Sequence, residues 1–458
     1  MSSVAVVWFR RDLRVHDQPT FLAAADAAPR SLALFVLDPA LLGPSGAARR
    51  TFLFRALRSL DEALGGRLLV VRGDPVEVVP RVAASVDAGT VHVAADYGPY
   101  GTRRDEAVDE ALADDGRELV RTGSPYAVAP GRVRKDDGDP YRVFTPFRRA
   151  WAEHGWRAPA ATDASTVAWL RPPEEDRVAV PADDAVDATL PEASEDAALR
   201  RWAAFLDDAV ATYGTDRDRP DRAGTSRMSV YLKYGLVHPR SILADLGTRD
   251  SPSVESYRTE IAWRDFYADV LHRRPDSARG NYDRSFDALP TASGAAARRT
   301  FDAWREGRTG FPVVDAGMRQ LREQAWMHNR VRMIVASFLV KDLHLPWWWG
   351  ARHFMELLVD GDLASNQHGW QWTAGSGTDA SPYFRVFNPI AQGERFDPDG
   401  DYVRRFVPEL RDVPGKQVHQ PWTLPGGVPD GYPEPMVDHK AERLAALARF
   451  EQVKAARG

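Results

Sequence analysis

The chain has 458 residues, 44% of them hydrophobic and 27% charged, with a formal net charge of −5. That length suits two or three domains with sizeable cores, and an acidic balance by itself argues against a nucleic-acid binder. Cys is absent, which excludes disulfides, cysteine zinc sites, iron–sulfur clusters and a thiol nucleophile.

The distribution of charge and aromatics is more informative. Residues 1–200 sum to −6 and residues 201–458 to +1. Only six of the 60 basic residues are Lys, so Arg, with its planar fork suited to phosphate oxygens, supplies 54. Eight of the 14 Trp lie between Trp263 and Trp372, a clustering that suggests a cavity for flat aromatic ligands as well as a core. No apolar run approaches the roughly 18 residues of a membrane helix, and no signal peptide opens the chain, so a cytoplasmic protein is expected.

In chain order, Val4–Phe9, Leu32–Leu37, Leu68–Val71 and Val91–Ala95 are short, apolar and bounded by turn residues. Helical patterns near 17–28, 46–64, 74–87 and 102–114 separate them, which predicts βαβ units and a buried parallel sheet. No Gly-x-Gly-x-x-Gly follows the first strand, so a standard dinucleotide fingerprint is missing. From about Arg157 to Glu195 the chain is Ala-, Pro- and acid-rich, and residues 151–200 sum to −7, which reads as a linker. Helical periodicity then resumes at Leu199–Tyr213, Val254–Leu271, Asp315–Leu339 and Arg352–Val359. The expected organisation is α/β plus all-α: a Rossmann-like parallel-sheet domain over 1–130, a linker over 131–198 and a helical domain over 199–458.

Three stretches carry chemistry. Gly224-Thr225-Ser226-Arg227-Met228-Ser229 can cap a following helix or hold a diphosphate, with Tyr213 and Arg217 close upstream. On a helix, Glu260, Trp263 and Arg264 share one face, as a salt bridge beside a buried Trp or as a stacking platform with an edge-bonding carboxyl. In Trp326-Met327-His328-Asn329-Arg330-Val331-Arg332-Met333 the two Arg need partners, and Asp360 and Asp362 are the obvious ones. The spacing of those two Asp is not that of a calcium loop, and no metal site is expected.

Together with Trp8-Phe9-Arg10-Arg11-Asp12-Leu13-Arg14, Thr309–Ala316, Asp360–Asn366 and Tyr383–Pro389, these stretches resemble the photolyase/cryptochrome family over nearly the whole chain. Within it the chain is most similar to class I cyclobutane pyrimidine dimer photolyases. The resemblance implies a helical FAD-binding domain, UV-damaged DNA as partner, and a monomer. FAD would be held by Tyr213, Arg217, Thr225, Ser226, Arg227, Met228 and Ser229 around the diphosphate. Glu260, Arg264, Asn329, Arg332, Asp360, Asp362 and Asn366 would complete its site, with Asn366 facing flavin N5. Glu260, Trp263, Asn329, Met333 and Trp372 match the pocket for a flipped-out dimer, and Arg330 is expected at a flanking phosphate. Trp370 and Trp347 match the inner and middle members of a tryptophan chain that reduces the flavin. Its outer Trp usually follows a Pro upstream of Trp304; here the pair is Pro290-Thr291, and Trp347-Trp348-Trp349 otherwise reads as an interior brace. Tyr100-Gly101 favours an 8-hydroxy-5-deazaflavin antenna over methenyltetrahydrofolate. The alternatives are a cryptochrome-type photoreceptor and a (6-4) photolyase, the latter expected to carry His at Asn329.

Overall fold

The computed structural model describes residues 3–383 and 385–455; Phe384, within one of the family motifs, lies outside them. The chain forms two compact units. One comprises residues 1–186, 191–211 and 226–275; the other comprises 187–190, 212–225 and 276–458.

The first unit is built on five parallel strands, β1 (Val4–Phe9), β2 (Arg30–Leu37), β3 (Leu68–Arg72), β4 (Ala88–Val93) and β5 (Glu118–Arg121), in the order β3-β2-β1-β4-β5. Helices α1 (Pro19–Ala27), α2 (Ala47–Ala63), α3 (Pro75–Ser85) and α4 (Pro99–Asp114) connect them. All six residues of β1 are buried, as expected of a central parallel strand covered on both faces. Val6, Leu34, Leu69 and Val91 meet Val79, Val82 and Val108 in one core. Asp38 begins a short helical turn at Pro39–Leu42 and Asp74 begins α3, each by accepting from the backbone N–H two residues on. The sheet reverses direction of growth between β1 and β4, the place where open α/β sheets present a ligand crevice.

The 131–198 stretch departs from the expected linker. It carries α5 (Phe144–His154), which buries Phe144, Phe147 and Trp151. Further on, Leu170 N–H bonds Ser31 and Val178 N–H bonds Val70, both along sheet strands. The acidic composition of residues 151–200 hid the Leu170 and Val178 anchors, and neither expected boundary, 130 or 198, coincides with the division into units. The first unit also holds α6 (Glu195–Asp208), α7 (Ser229–Tyr234), α8 (Pro239–Leu246) and α9 (Pro252–Arg273).

The second unit is helical: α10 (Gly294–Arg305), α11 (Pro312–Gln324), α12 (Asn329–Ser337), α13 (Trp347–Leu357), α14 (Leu363–Ala374), α15 (Pro389–Phe396), α16 (Asp401–Phe406) and α17 (His439–Ala455). Its core gathers Trp304, Met318, Leu321, Val331, Val335, Phe354, Trp370 and Tyr402. The single helix expected over Asp315–Leu339 is two. Ala325 adopts a left-handed φ of 48°, ending α11, and the His328 ring starts α12 by accepting from Arg330 N–H. Buried Asp315 anchors the entry to α11, accepting from Thr309 N–H and Oγ at 2.7 Å and from Tyr432 O–H at 2.6 Å.

Candidate functional site

Each unit contributes its own set of expected site residues. In the first, Ser226 does not cap α7, whose start at Met228 lacks a side-chain cap. Its Oγ lies 2.8 Å from Tyr257 O–H and accepts from Met228 N–H at 3.3 Å. Met228 is buried, Ser229 exposed, and Arg227 holds a left-handed φ of 54°. The loop is thus tied by hydroxyls rather than closed as a helix cap.

On α9, the i, i+3, i+4 spacing of Glu260, Trp263 and Arg264 holds. Trp263 is half-buried and stacks on Phe144, ring centroids 3.5 Å apart and planes within 9°. Arg264 donates to the carbonyls of Pro125 and Leu232 at 2.8 and 3.3 Å and lies 4.7 Å over the Tyr126 ring, so much of its hydrogen-bonding capacity is spent on fixing the loop. Next to it, fully buried Asp265 accepts from Val128 N–H and the Trp151 indole; burial pushes its carboxyl up to about 6.

The β1/β4 crevice is narrow, about 10 Å³ among Arg10, Arg11, Asp12, Ala94, Asp96 and Pro125. Arg10 pairs with Asp105, and Arg104 bridges Asp105 and Asp96 at 2.8 and 3.2 Å. Gly101 is required there, since a Cβ would meet the Asp96 carboxylate at 2.2 Å, and Tyr100 O–H donates to Asp38. Gly101 thus lies against Asp96, a member of the charge cluster at the crevice wall.

In the second unit, Arg217 lies 5.6 Å over the Tyr213 ring, and Gly224 sets the loop before Thr225 so close to Asp216 that a Cβ would fall 2.4 Å from its side chain. α12 and α14 pack together. Arg332 donates Nε to Met327 C=O at 2.8 Å and Nη2 to Asp360 at 2.8 Å. The Asp360 side chain is 2% exposed and that of Arg332 25%, so the pair presents its cationic end. Asp362 begins α14 by accepting from Ser365 N–H, a capping duty the sequence reading passed over. One turn on, Asn366 donates to Ala351 C=O at 3.1 Å and to Gln367. Arg330 pairs with Asp218 at 2.7 Å and lies 4.4 Å over Phe396; Met333 Sδ is 4.0 Å from its guanidinium.

Trp370 is buried against α13 at Gly350, where a Cβ would meet its ring at 2.1 Å. It also touches Trp304 and Phe354, centroids 6.1 and 5.0 Å away. Trp347 is buried and donates to Asn281 at 2.9 Å. The interior brace expected of Trp347–Trp349 fails at Trp348, which is 39% exposed. Asp218, Asn281 and Phe144 escaped the sequence reading because each matters only through a partner far along the chain.

Residues 5–167 match the family described as DNA photolyase, and residues 257–452 match the FAD binding domain of DNA photolyase. The deoxyribodipyrimidine photo-lyase of Streptomyces griseus is 42% identical over 467 residues, covering 99% of both chains. The chain belongs to the DNA photolyase family. Among solved structures, a bacterial class III photolyase from Agrobacterium tumefaciens matches with a TM-score of 0.90 at 37% identity, covering 99% of this chain and 98% of its own. The cryptochrome of Synechocystis sp. PCC6803 matches with a TM-score of 0.87 at 28% identity, covering 97% and 98%. The photolyase architecture, a parallel-sheet unit followed by helices, is thereby established, and it includes the FAD-binding domain of the family. No helix among the described residues is long and apolar enough to cross a membrane.

Proposed function

We propose that this DNA photolyase family member repairs cyclobutane pyrimidine dimers in DNA, using light and reduced FAD. The observation that carries the reading is near-complete similarity, 42% identity over 99% of both chains, to a relative named deoxyribodipyrimidine photo-lyase. The donor set suits FAD: a buried carboxylate with a partly open guanidinium, Asp360 and Arg332, one helix away from the amide of Asn366. The chemistry that FAD supplies when bound is donation of one electron on absorbing light.

The chain's own residues then bind, orient and exclude water. Tyr213, Arg217, Thr225, Ser226, Arg227, Met228 and Ser229 supply rings, hydroxyls, amides and cations to the FAD diphosphate. Arg264 holds the α9 end of that site in place. Asn366, a neutral amide, bonds flavin N5 without placing a second negative charge beside a reduced ring. A dimer must leave the duplex stack to react, and its weakened stacking lowers that cost to a few kcal/mol. Trp263, its other face already on Phe144, and Trp372 offer flat walls; Met333 fills beside them. Glu260 and Asn329 bond the pyrimidine edges, and Glu260, where it carries a proton, stabilises the dimer radical anion. Arg330 exchanges Asp218 for a phosphate flanking the lesion.

We assign the antenna to the sheet unit as 8-hydroxy-5-deazaflavin rather than methenyltetrahydrofolate, on the Tyr100-Gly101 pair. A second reading, a blue-light photoreceptor, is favoured by the cryptochrome likeness. Illumination of a dimer-containing oligonucleotide with the reduced protein, against a dark control, separates the two. Restored thymines in the light support repair, and none would leave the photoreceptor.

A further inference from the structure

Trp348 stands out among the Trp of the second unit because it reaches solvent while touching a buried neighbour. Its ring centroid is 5.9 Å from that of Trp347, with the planes at 81°. Trp347 is 4% exposed and Trp348 39%. Three residues beyond Trp347, a rise of about 4.5 Å along α13, Gly350 lets the Trp370 ring lie directly on the helix backbone. Trp370 on α14 thus lies against α13 one turn from Trp347, whose ring neighbours that of exposed Trp348.

The place where the family resemblance puts an outer Trp is instead a cavity of about 270 Å³. Asn281, Thr291, Trp347, Trp348, Tyr383 and Arg449 are among its walls. Thr291 has no aromatic ring to carry a charge. Tyr383, the other aromatic there that could lose an electron, is 3% exposed, and burial pushes its phenol up to about 12. A buried phenol gives up its proton poorly, and oxidation of a phenol requires that loss. Trp304, which touches Trp370 on the other side, is fully buried with its N–H bonded to Val335 C=O; a charge moving there stays inside the core.

We propose that Trp348 is the solvent-side electron donor of this chain, completing a Trp370–Trp347–Trp348 relay in place of the Trp missing at Thr291. The inference rests on the reading of Trp370 and Trp347 as electron carriers. Each electron that bound FAD takes from Trp370 is replaced from Trp347 and then from Trp348. The vacancy ends on Trp348, whose indole proton passes to water. A thiol in solution returns one electron and one proton to Trp348, and two thiols oxidised in this way join as a disulfide.

The experiment is flash photolysis of the FAD-loaded, oxidised protein with an added thiol, following the tryptophan radical absorption. The wild-type radical is expected to decay faster as thiol concentration rises. With Trp348→Phe, net flavin reduction under steady blue light falls about tenfold and the radical decay loses its thiol dependence. Trp348→Tyr, still aromatic and oxidisable, recovers part of the yield. Adding Thr291→Trp to Trp348→Phe fills the cavity beside Trp347 and opens a second exit, restoring the yield. Wild-type photoreduction in a folded Trp348→Phe variant overturns the proposal, as does loss of thiol dependence with Trp304→Phe alone. Chemically reduced protein that fails to repair dimers, while Trp348 still governs photoreduction, would overturn the repair reading and leave the relay standing.

Discussion

Asn366 illustrates how much one side chain can decide. Its amide N–H groups are committed to Ala351 C=O and to Gln367, which fixes the residue on α14 in one orientation. Asn366→Asp removes those donors and adds a charge, so the reduction potential of the bound flavin should fall; identical potentials in the two proteins would dismiss a role at N5. Trp263 is fixed as well, by its stack on Phe144 at 3.5 Å. Removing a stacking ring costs about 1–3 kcal/mol per base, so Trp263→Ala should weaken binding of dimer-containing DNA by that much in a gel-shift or fluorescence titration. Unchanged affinity would take Trp263 out of the pocket. Arg330 shows why a residue type alone misleads. The sequence offers a phosphate-binding cation, while the folded chain pairs it with Asp218 at 2.7 Å, so DNA would have to displace a carboxylate.

At the level of elements, the contact between α13 and α14 depends on Gly350. A methyl group there would sit 2.1 Å from the Trp370 ring, and the buried indole cannot swing away. Gly350→Ala should therefore cost about 1–3 kcal/mol, the usual penalty of overpacking a close-packed core, read as a lower urea midpoint; a midpoint equal to wild type would show that α13 can shift without loss. The strands and helices of the sheet unit were legible because apolar runs of four to six residues alternate with amphipathic stretches. β5 was not: Glu118–Arg121 has only four residues, of which Leu119 alone is buried, and a short edge strand leaves little periodicity. The break between α11 and α12 was equally hidden, because Ala325 is a helix former by propensity and only its surroundings hold it at positive φ. Asn329, Arg330 and Met333 stand within one turn, so their proximity is legible from spacing. Their partners, Asp218 and Phe396, could not be read because nothing nearby in the chain announces them.

For the whole molecule, buried histidines set a dependence on acid. Burial lowers both His353 and His368 from 6.5 to about 4. The unfolded chain therefore binds more protons than the folded one between these values, and stability is lost as pH falls from about 6.5 toward 4. Each contributes at most on the order of 3 kcal/mol. Denaturant midpoints measured across that range should drop and then level off, and His368→Asn should flatten the slope; an unchanged slope would mean that His368 titrates normally. DNA affinity should also fall as salt rises, despite the net charge of −5, because local Arg clusters, not net charge, release counterions from phosphate. A salt-independent affinity would argue against phosphate contacts. The sequence alone determined the family and the parallel sheet, since these follow from local periodicity and from residue types at characteristic separations. Only the tertiary structure decided that the segment after residue 130 is anchored rather than loose, that Arg330 is already paired, and that Trp348 faces water while Trp347 does not. Those outcomes depend on which distant segments pack together, and burial and pairing are properties of that packing, not of the order of residues along the chain.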